Sequence, residues 1–185
     1  GVLASQVGQQ EISVTLLSRA IALKPDYADA FYNRGISYNE LGKFNEAIRD
    51  YSDSIHINPE KPESYNNRGC VYRSLGLQDK ALDDFNKAIA LKAGYAEALN
   101  NRGITLKELD RIQEAIADYT EAIMIQPCYV EALNNRGNAR QKLQNYRQAL
   151  VDYNQAIAIH PDYIDALNNR GVVYQKLRQF SEALE

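Results

Sequence analysis

A column of asparagines is the part of this sequence in which residue type and spacing are most regular. The tripeptide Asn-Arg-Gly occurs five times, and each copy begins 34 residues after the previous one. An asparagine side chain offers a carbonyl acceptor and an amide donor, the same pair that a peptide group presents. A row of such side chains along a groove is suited to hold an extended chain by its backbone. The sequence therefore predicts a peptide-binding column of Asn33, Asn67, Asn101, Asn135 and Asn169.

Residues beside this column extend the predicted groove. Four of the five copies carry a second asparagine directly before the column, whereas the first copy has Tyr32 there. Residues three or four positions apart share one face of a helix, so the residue three positions after each column asparagine belongs to the same face. The predicted groove therefore also contains Asn66, Asn100, Asn134, Asn168, Ile36, Cys70, Ile104 and Asn138. The alternative, in which each asparagine bonds its own backbone or solvent, stays open.

The arginine of each tripeptide suggests a second, structural kind of chemistry. Arg102 shares its helical stripe with Ala98, Thr105 and Leu109, and a guanidinium among such residues needs a carboxylate partner. A periodic aspartate column supplies one, and we expect ion pairs that cross repeat boundaries: Asp50–Arg68, Asp84–Arg102, Asp118–Arg136 and Asp152–Arg170. Arg34 is expected to lack such a partner, because Leu16 stands in the matching position. An anion-binding arginine column is the functional alternative.

Catalysis and metal binding have little support in the sequence. His56 and His160 have no cysteine, aspartate or second histidine at the spacing of metal ligands. Neither a glycine-rich phosphate loop nor a nucleophile elbow is present. We therefore expect a chain that is not an enzyme and that has no cofactor and no metal.

Composition narrows the classes of partner. The net charge is -3, and lysine and arginine are scattered without a block of like charge, which argues against nucleic acid or an anionic membrane as a partner. The apolar runs are too short to span a bilayer. Cys70 and Cys128 lie in different repeats and unlike settings, so a disulfide framework is not expected. These features favour a cytoplasmic location.

The elements that position these side chains follow from the 34-residue period. In the first full unit we predict one helix from Ala28 to Leu41 and a second from Phe44 to Ile57, with a break near Gly42 and a stop at Pro59. A fixed period of this size indicates stacked helix pairs in one continuous domain. The predicted units are a partial one at 1–27, full ones at 28–61, 62–95, 96–129 and 130–163, and a last one at 164–185 that stops inside its second helix.

This pattern resembles the tetratricopeptide repeat. The matching residues in the third unit are Leu99, Gly103, Ala115, Tyr119, Ala122 and Pro127. Departures are the arginine before each glycine, Arg140 in place of tyrosine, and Ala93-Gly94 in place of a proline turn. The resemblance implies an all-α, right-handed superhelical solenoid in which the first helix of each unit lines a concave face. It also implies a protein-binding scaffold that holds a peptide segment of a partner. The asparagine column itself resembles the asparagine ladder of O-linked N-acetylglucosamine transferase.

Three other functions are weighed against this one. A clamp for a terminal carboxylate is disfavoured, because acidic side chains at the helix starts would repel it: Asp29, Glu63, Glu97, Glu131 and Asp165. The chain could instead be the substrate-recognition arm of a larger enzyme, such as a glycosyltransferase. It could also be an assembly scaffold that associates end to end, with the apolar end near Phe180–Glu185 packed on another molecule or frayed.

Overall fold

The fold comes from a computed structural model, which describes the backbone of residues 2–182 and the side chains of residues 8–178. In this part of the chain every regular element is an α-helix, as the sequence predicts. The chain divides into two compact units, residues 1–93 and residues 94–185. We call the first helix of each repeat its A helix and the second its B helix.

The first unit consists of a lone B helix followed by two complete helix pairs. Its helices are α1 (Val2–Leu23), α2 (Ala28–Glu40), α3 (Phe44–Ile57), α4 (Pro62–Ser74) and α5 (Gln78–Leu91). Pro62 occupies the first position of α4, where its missing N–H and fixed φ are favourable.

The second unit repeats the same arrangement without a leading B helix. Its helices are α6 (Ala96–Glu108), α7 (Ile112–Ile125), α8 (Val130–Lys142), α9 (Tyr146–Ile159) and α10 (Ile164–Glu182). Helices α2, α4, α6, α8 and α10 are A helices, and every one begins within two residues of the start of its predicted repeat.

The turn from A helix to B helix depends on one residue in the left-handed conformation. This residue is glycine in the first unit, where Gly42 has φ of 69°. In the second unit Asp110 and Gln144 adopt φ values of 61° and 60°, an uncommon conformation for residues with a side chain. The backbone N–H after the turn donates to the carbonyl five residues earlier, as in the 2.9 Å bond from Arg111 to Leu106, which satisfies the helix end.

The A and B helices of a repeat meet where a glycine faces an aromatic ring. A Cβ built on Gly103 would lie 2.7 Å from Cε1 of Tyr119, so only glycine fits there. The same contact joins Gly35 to Tyr51, Gly69 to Phe85 and Gly137 to Tyr153.

The last helix differs from the prediction of a fifth helix–turn–helix unit. Helix α10 continues from Ile164 to Glu182, through Arg178, which corresponds to the left-handed Gly42. Among the described residues no atom lies within 4 Å of a Cβ built on Gly171. The contact between a glycine and an aromatic ring that stabilises the turn in the other repeats is therefore missing from the described part of this one. The prediction that the end near Phe180–Glu185 packs on another molecule or frays falls outside the described side chains.

Candidate functional site

In α2, α4, α6 and α8 one helix position remains partly accessible while its two neighbours are buried. In α6, Ile104 is half-buried between the fully buried pair Gly103 and Thr105. The same alternation of buried, half-buried and buried residues surrounds Ile36 on α2, Cys70 on α4 and Asn138 on α8. We call the stripe that contains these positions and the column asparagines the accessible face. Within each unit, the column asparagines and the positions three residues after them therefore lie along one side of their helices.

The asparagine columns form hydrogen bonds from repeat to repeat. Asn135 donates from Nδ2 to Oδ1 of Asn100 over 3.0 Å, and Asn169 donates in the same way to Asn134. In the first unit the acceptor is the hydroxyl of Tyr32, which lies 3.2 Å from Nδ2 of Asn67. One amide donor of each of these column asparagines is therefore used inside the protein.

This network corrects part of the predicted groove. Asn66, Asn100 and Asn134 are only 0%, 5% and 6% exposed, so their side chains are not offered to a ligand. Their predicted place in the groove is wrong, because a helix position one residue before the column turns toward the neighbouring repeat. Asn168 and Asn33 are exposed, and Asn101 is half-buried.

The arginine–aspartate pairs form within repeats and not across their boundaries. Arg102 donates from Nε and Nη2 to Asp118 over 2.8 and 2.6 Å, and the side chain of Asp118 is 8% exposed. The other observed pairs are Arg34–Asp50, Arg68–Asp84 and Arg136–Asp152. The four predicted boundary-crossing pairs are therefore wrong, and so is the expectation that Arg34 lacks a carboxylate partner.

Four of these arginines also bind a neutral side chain of the preceding repeat. The Nη1 atoms of Arg34 and Arg68 donate to Ser18 and Ser52, both over 2.9 Å. Arg170, which was predicted to pair with Asp152, donates instead to Oδ1 of Asn154 over 3.0 Å. One guanidinium thus joins the B helix of its own repeat to the preceding B helix, so the arginine columns stabilise repeat stacking.

Repeat 130–163 adds a second arginine to its ion pair. Arg140 donates from Nη1 to Oδ2 of Asp152 over 2.7 Å, and Arg136 binds the same carboxylate. The side chain of Asp152 is fully buried, and both arginines are at least four-fifths buried. The sequence shows Arg140 as a departure from the tyrosine at this position, but the second ion pair was not predicted.

Burial and pairing shift several pKa values. Burial raises the pKa of the Asp84 carboxyl, although the hydrogen bond from Arg68 acts in the opposite direction. The hydrogen bond to Asp118 raises the pKa of Arg102. Burial also raises the pKa of the Tyr51 and Tyr153 hydroxyls, so these rings are neutral packing groups at physiological pH.

Neither a metal-binding cluster nor a membrane-spanning helix is found among the described residues. No group of three or more histidine, cysteine, aspartate or glutamate side chains in residues 8–178 is placed to hold a metal ion. No described helix is long and apolar enough to cross a bilayer. The thiols of Cys70 and Cys128 are not joined in a disulfide.

Comparisons with known proteins identify the repeat. A family profile described as tetratricopeptide repeat matches residues 28–61, 62–95, 96–127 and 130–163. A profile described as TPR repeat matches residues 6–39, and a further tetratricopeptide repeat profile matches residues 152–185. A search of curated proteins finds no match.

Solved structures of similar fold have low sequence identity to this chain. MamA is 21% identical, with a TM-score of 0.76 over 83% of this chain and 90% of MamA. YrrB, described as a TPR protein with an unusual peptide-binding site, is 24% identical, with a TM-score of 0.73 over 91% of this chain and 87% of YrrB. TTC0263, a thermophilic TPR protein of Thermus thermophilus, is 20% identical, with a TM-score of 0.73 over 95% of both chains. With its helix pairs, its glycine–aromatic contacts and four consecutive profile matches, the chain belongs to the tetratricopeptide repeat family.

Proposed function

We propose that this chain is a non-catalytic protein-interaction scaffold that holds a peptide segment of a partner protein against the accessible face of its A helices. The observation that carries the proposal is the repeated exposure pattern. At Ile36, Cys70, Ile104 and Asn138 the same helix position stays open while both neighbours are buried. A surface of this kind, kept in register from repeat to repeat, suits an extended chain segment.

The column asparagines are suited to bind the backbone of such a segment. Asn135 uses one amide hydrogen for Asn100, which fixes its orientation and leaves a second hydrogen and the carbonyl oxygen for a ligand. A side chain already fixed in this way loses little entropy on binding. The role proposed for Asn33, Asn67, Asn101, Asn135 and Asn169 is therefore backbone binding beside variable side-chain contacts. Three of them, Asn67, Asn135 and Asn169, are preorganised by a hydrogen bond to the preceding repeat.

The relatives support a protein or peptide as the class of ligand. The tetratricopeptide repeat is an interaction scaffold, and YrrB is described as having a peptide-binding site. At 24% identity, the likeness to YrrB supports the same fold but not the same ligand. The two reduced thiols, Cys70 half-buried and Cys128 exposed, support a reducing compartment such as the cytoplasm.

The test compares variants on the two sides of one helix pair. The partner is first identified by affinity capture and mass spectrometry, and its binding is then measured for Ile104→Arg and for the control Met124→Arg. Ile104 is half-buried on the accessible face of α6, whereas Met124 is 76% exposed on the B helix α7. We expect Ile104→Arg to weaken binding at least about tenfold, since a large charge enters the contact surface, and Met124→Arg to leave it unchanged.

Ile36→Arg extends this test to the first unit, with circular dichroism confirming that each variant folds. Full binding by both Ile104→Arg and Ile36→Arg, together with loss of binding in Met124→Arg, would place the ligand on the B helices and refute the proposal.

Self-association is a second candidate, because apolar side chains are exposed on the outer helices. Ile12 and Leu16 on α1 are more than 60% exposed, and Ile164 on α10 is 77% exposed. Exposed apolar side chains grouped in this way are typical of contact surfaces. Light scattering across a range of protein concentrations separates this function from peptide binding, because only self-association raises the mean mass.

A further inference from the structure

The second unit contains a pocket on the accessible face that is lined by lysine and by neutral polar groups. It has a volume of about 470 Å³ and lies between α6, α8 and α10, with the first residue of α9 at its edge. Its lining consists of Lys107, Lys142, Lys176, Asn138, Gln141, Asn169 and Tyr146. Among these described residues there are three cationic groups and no carboxylate, in a chain whose net charge is -3.

Two amides of the pocket share one hydrogen-bond partner, the hydroxyl of Tyr153. The hydroxyl of Tyr153 lies 2.8 Å from Oδ1 of Asn138 and 2.9 Å from Oε1 of Gln141. A hydroxyl can donate its single proton to only one of these oxygens, so at least one amide is held by its oxygen and keeps its NH₂ group for another acceptor. Together with the ammonium groups, this makes the pocket rich in donors and suited to an anionic acceptor.

One lysine of the pocket already has an acidic neighbour, but this contact is easily exchanged. Nζ of Lys142 lies 2.6 Å from Oδ1 of Asp110, and the two side chains are 53% and 78% exposed. An ion pair this exposed contributes little to stability, and an ammonium group has three hydrogens to share. Lys142 can therefore bind a second carboxylate while Asp110 returns to solvent.

The acidic side chains at the helix starts do not cancel this positive charge. Glu131 on α8 precedes Lys142 by eleven residues, and Asp165 on α10 precedes Lys176 by the same number. At 1.5 Å per residue the acidic and basic ends of each helix are roughly 16 Å apart. This distance exceeds the screening length of about 8 Å at physiological ionic strength. The sequence argument against a carboxylate ligand therefore applies to one edge of the accessible face and not to the lysine-lined edge.

We propose that this pocket binds the carboxylate side chains of an acidic, extended peptide segment, with Lys142 and Lys176 as its charged contacts. The inference rests on the proposed function and names the chemistry of its ligand. Lys142 and Lys176 occupy equivalent positions on α8 and α10, which are in contact. Packed helices lie roughly 10 Å apart, and in a polyproline II conformation, which has three residues per turn and rises about 3.1 Å per residue, side chains three positions apart lie on one face about 9 Å from each other. Two acidic residues three positions apart thus match the two lysines.

A peptide fits this surface better than a long polyanion does. The positive charge of the pocket is confined to three lysines. The rest of the chain carries a net negative charge, which repels nucleic acid at longer range. Asn138 and Asn169 continue the accessible face into the pocket, so one bound segment contacts both.

The test uses fluorescence anisotropy with a short acetylated and amidated peptide that carries two glutamates three residues apart. A matched peptide carries glutamine at both positions, and a third has a free terminal carboxylate but no acidic side chain. We expect only the first to bind, with an affinity that falls as salt is added. Lys142→Gln and Lys176→Gln should each weaken binding about three- to fivefold.

Lys87→Gln is the matched control for charge, since Lys87 is exposed on α5 in the other unit. It should leave the affinity for the acidic peptide unchanged. Equal binding of the glutamine peptide, equal loss in the Lys87 variant, or binding of only the peptide with a free terminal carboxylate would each overturn the inference. The same variants separate this inference from the proposed function. If Ile104→Arg abolishes partner binding and neither lysine variant affects it, the proposed function stands and only the acidic ligand is refuted.

Discussion

The ion pair of Asp118 provides the sharpest test of how these repeats are held together. Asp118→Ala removes two charge-assisted hydrogen bonds and leaves Arg102 without its carboxylate. Removing one partner of a buried pair costs roughly 3–5 kcal/mol. The side chain of Arg102 is 24% exposed and keeps some contact with water, so we expect the lower end, about 3 kcal/mol.

A double-mutant cycle identifies the partner. We expect Arg102→Leu to recover much of the loss in the Asp118→Ala background, since the remaining charge is then removed as well. Arg136→Leu should add its own cost, because Arg136 binds Asp152. The assay is urea unfolding followed by far-ultraviolet circular dichroism, with the slope m compared across variants so that changes in midpoint report stability.

An exposed pair on the same helix provides the control. Arg111 binds Glu114 in a bidentate geometry with two 2.7 Å bonds, but both side chains are about half exposed. Glu114→Ala should therefore leave the free energy of unfolding unchanged. If Arg136→Leu rescues Asp118→Ala and Arg102→Leu does not, pairing within the repeat is refuted.

Three further predictions use the glycine contacts, the buried tyrosines and the asparagine network. Gly137→Ala should destabilise the protein by about 1–3 kcal/mol, because its Cβ would lie 2.5 Å from the Tyr153 ring. Gly171→Ala meets no such contact and should stabilise α10 by up to about 1 kcal/mol. Thermal unfolding measures both changes. Burial raises the pKa of the Tyr153 hydroxyl above the value of about 10 that it has in the unfolded chain. The stability that the neutral hydroxyl contributes is therefore complete below about pH 10 and is lost as the pH rises further. Ultraviolet titration should show the ionisation of Tyr153 only together with unfolding. Asn135→Ala should cost about 1 kcal/mol in urea unfolding by leaving a buried acceptor without its donor, whereas Asn33→Ala, at an exposed position, should be neutral or slightly stabilising.

The sequence predicts the helices and the accessible face but not the direction of pairing. Two columns that share a 34-residue period leave two solutions open, since Arg102 is 18 residues from Asp84 and 16 from Asp118. The contact between Gly103 and Tyr119 decides between them, because these two residues are also 16 positions apart, like Arg102 and Asp118. The ring of Tyr119 sets the offset between the two helices, and Asp118 is adjacent to it. This signal was present in the sequence, because glycine and aromatic residue recur together in each complete repeat.

The asparagines show why residue chemistry alone does not separate binding from structure. The donor and acceptor that suit a peptide backbone equally suit the asparagine of a neighbouring repeat, and the structure pairs Asn135 with Asn100 in this way. Tyr32 in the first repeat points to this use, since a hydroxyl replaces the amide as acceptor where a second asparagine is missing. The pocket at Lys142 was not predicted, because its residues come from four helices and because the position of Lys142 and Lys176 holds Glu108 on α6.

Residues that recur in every repeat and residues that change between repeats have different roles in this chain. The recurring arginine, glycine and asparagine make contacts within and between repeats, and these contacts hold the stack in register. The half-buried position after each glycine changes from Ile36 to Cys70, Ile104 and Asn138, so its residue type does not follow the period. We therefore expect a partner to be distinguished at these changing positions and at the lysine-lined edge, and the asparagine column to bind any backbone equally well. Under this proposal the periodic part of the sequence determines the fold, and ligand choice depends on its departures from the period.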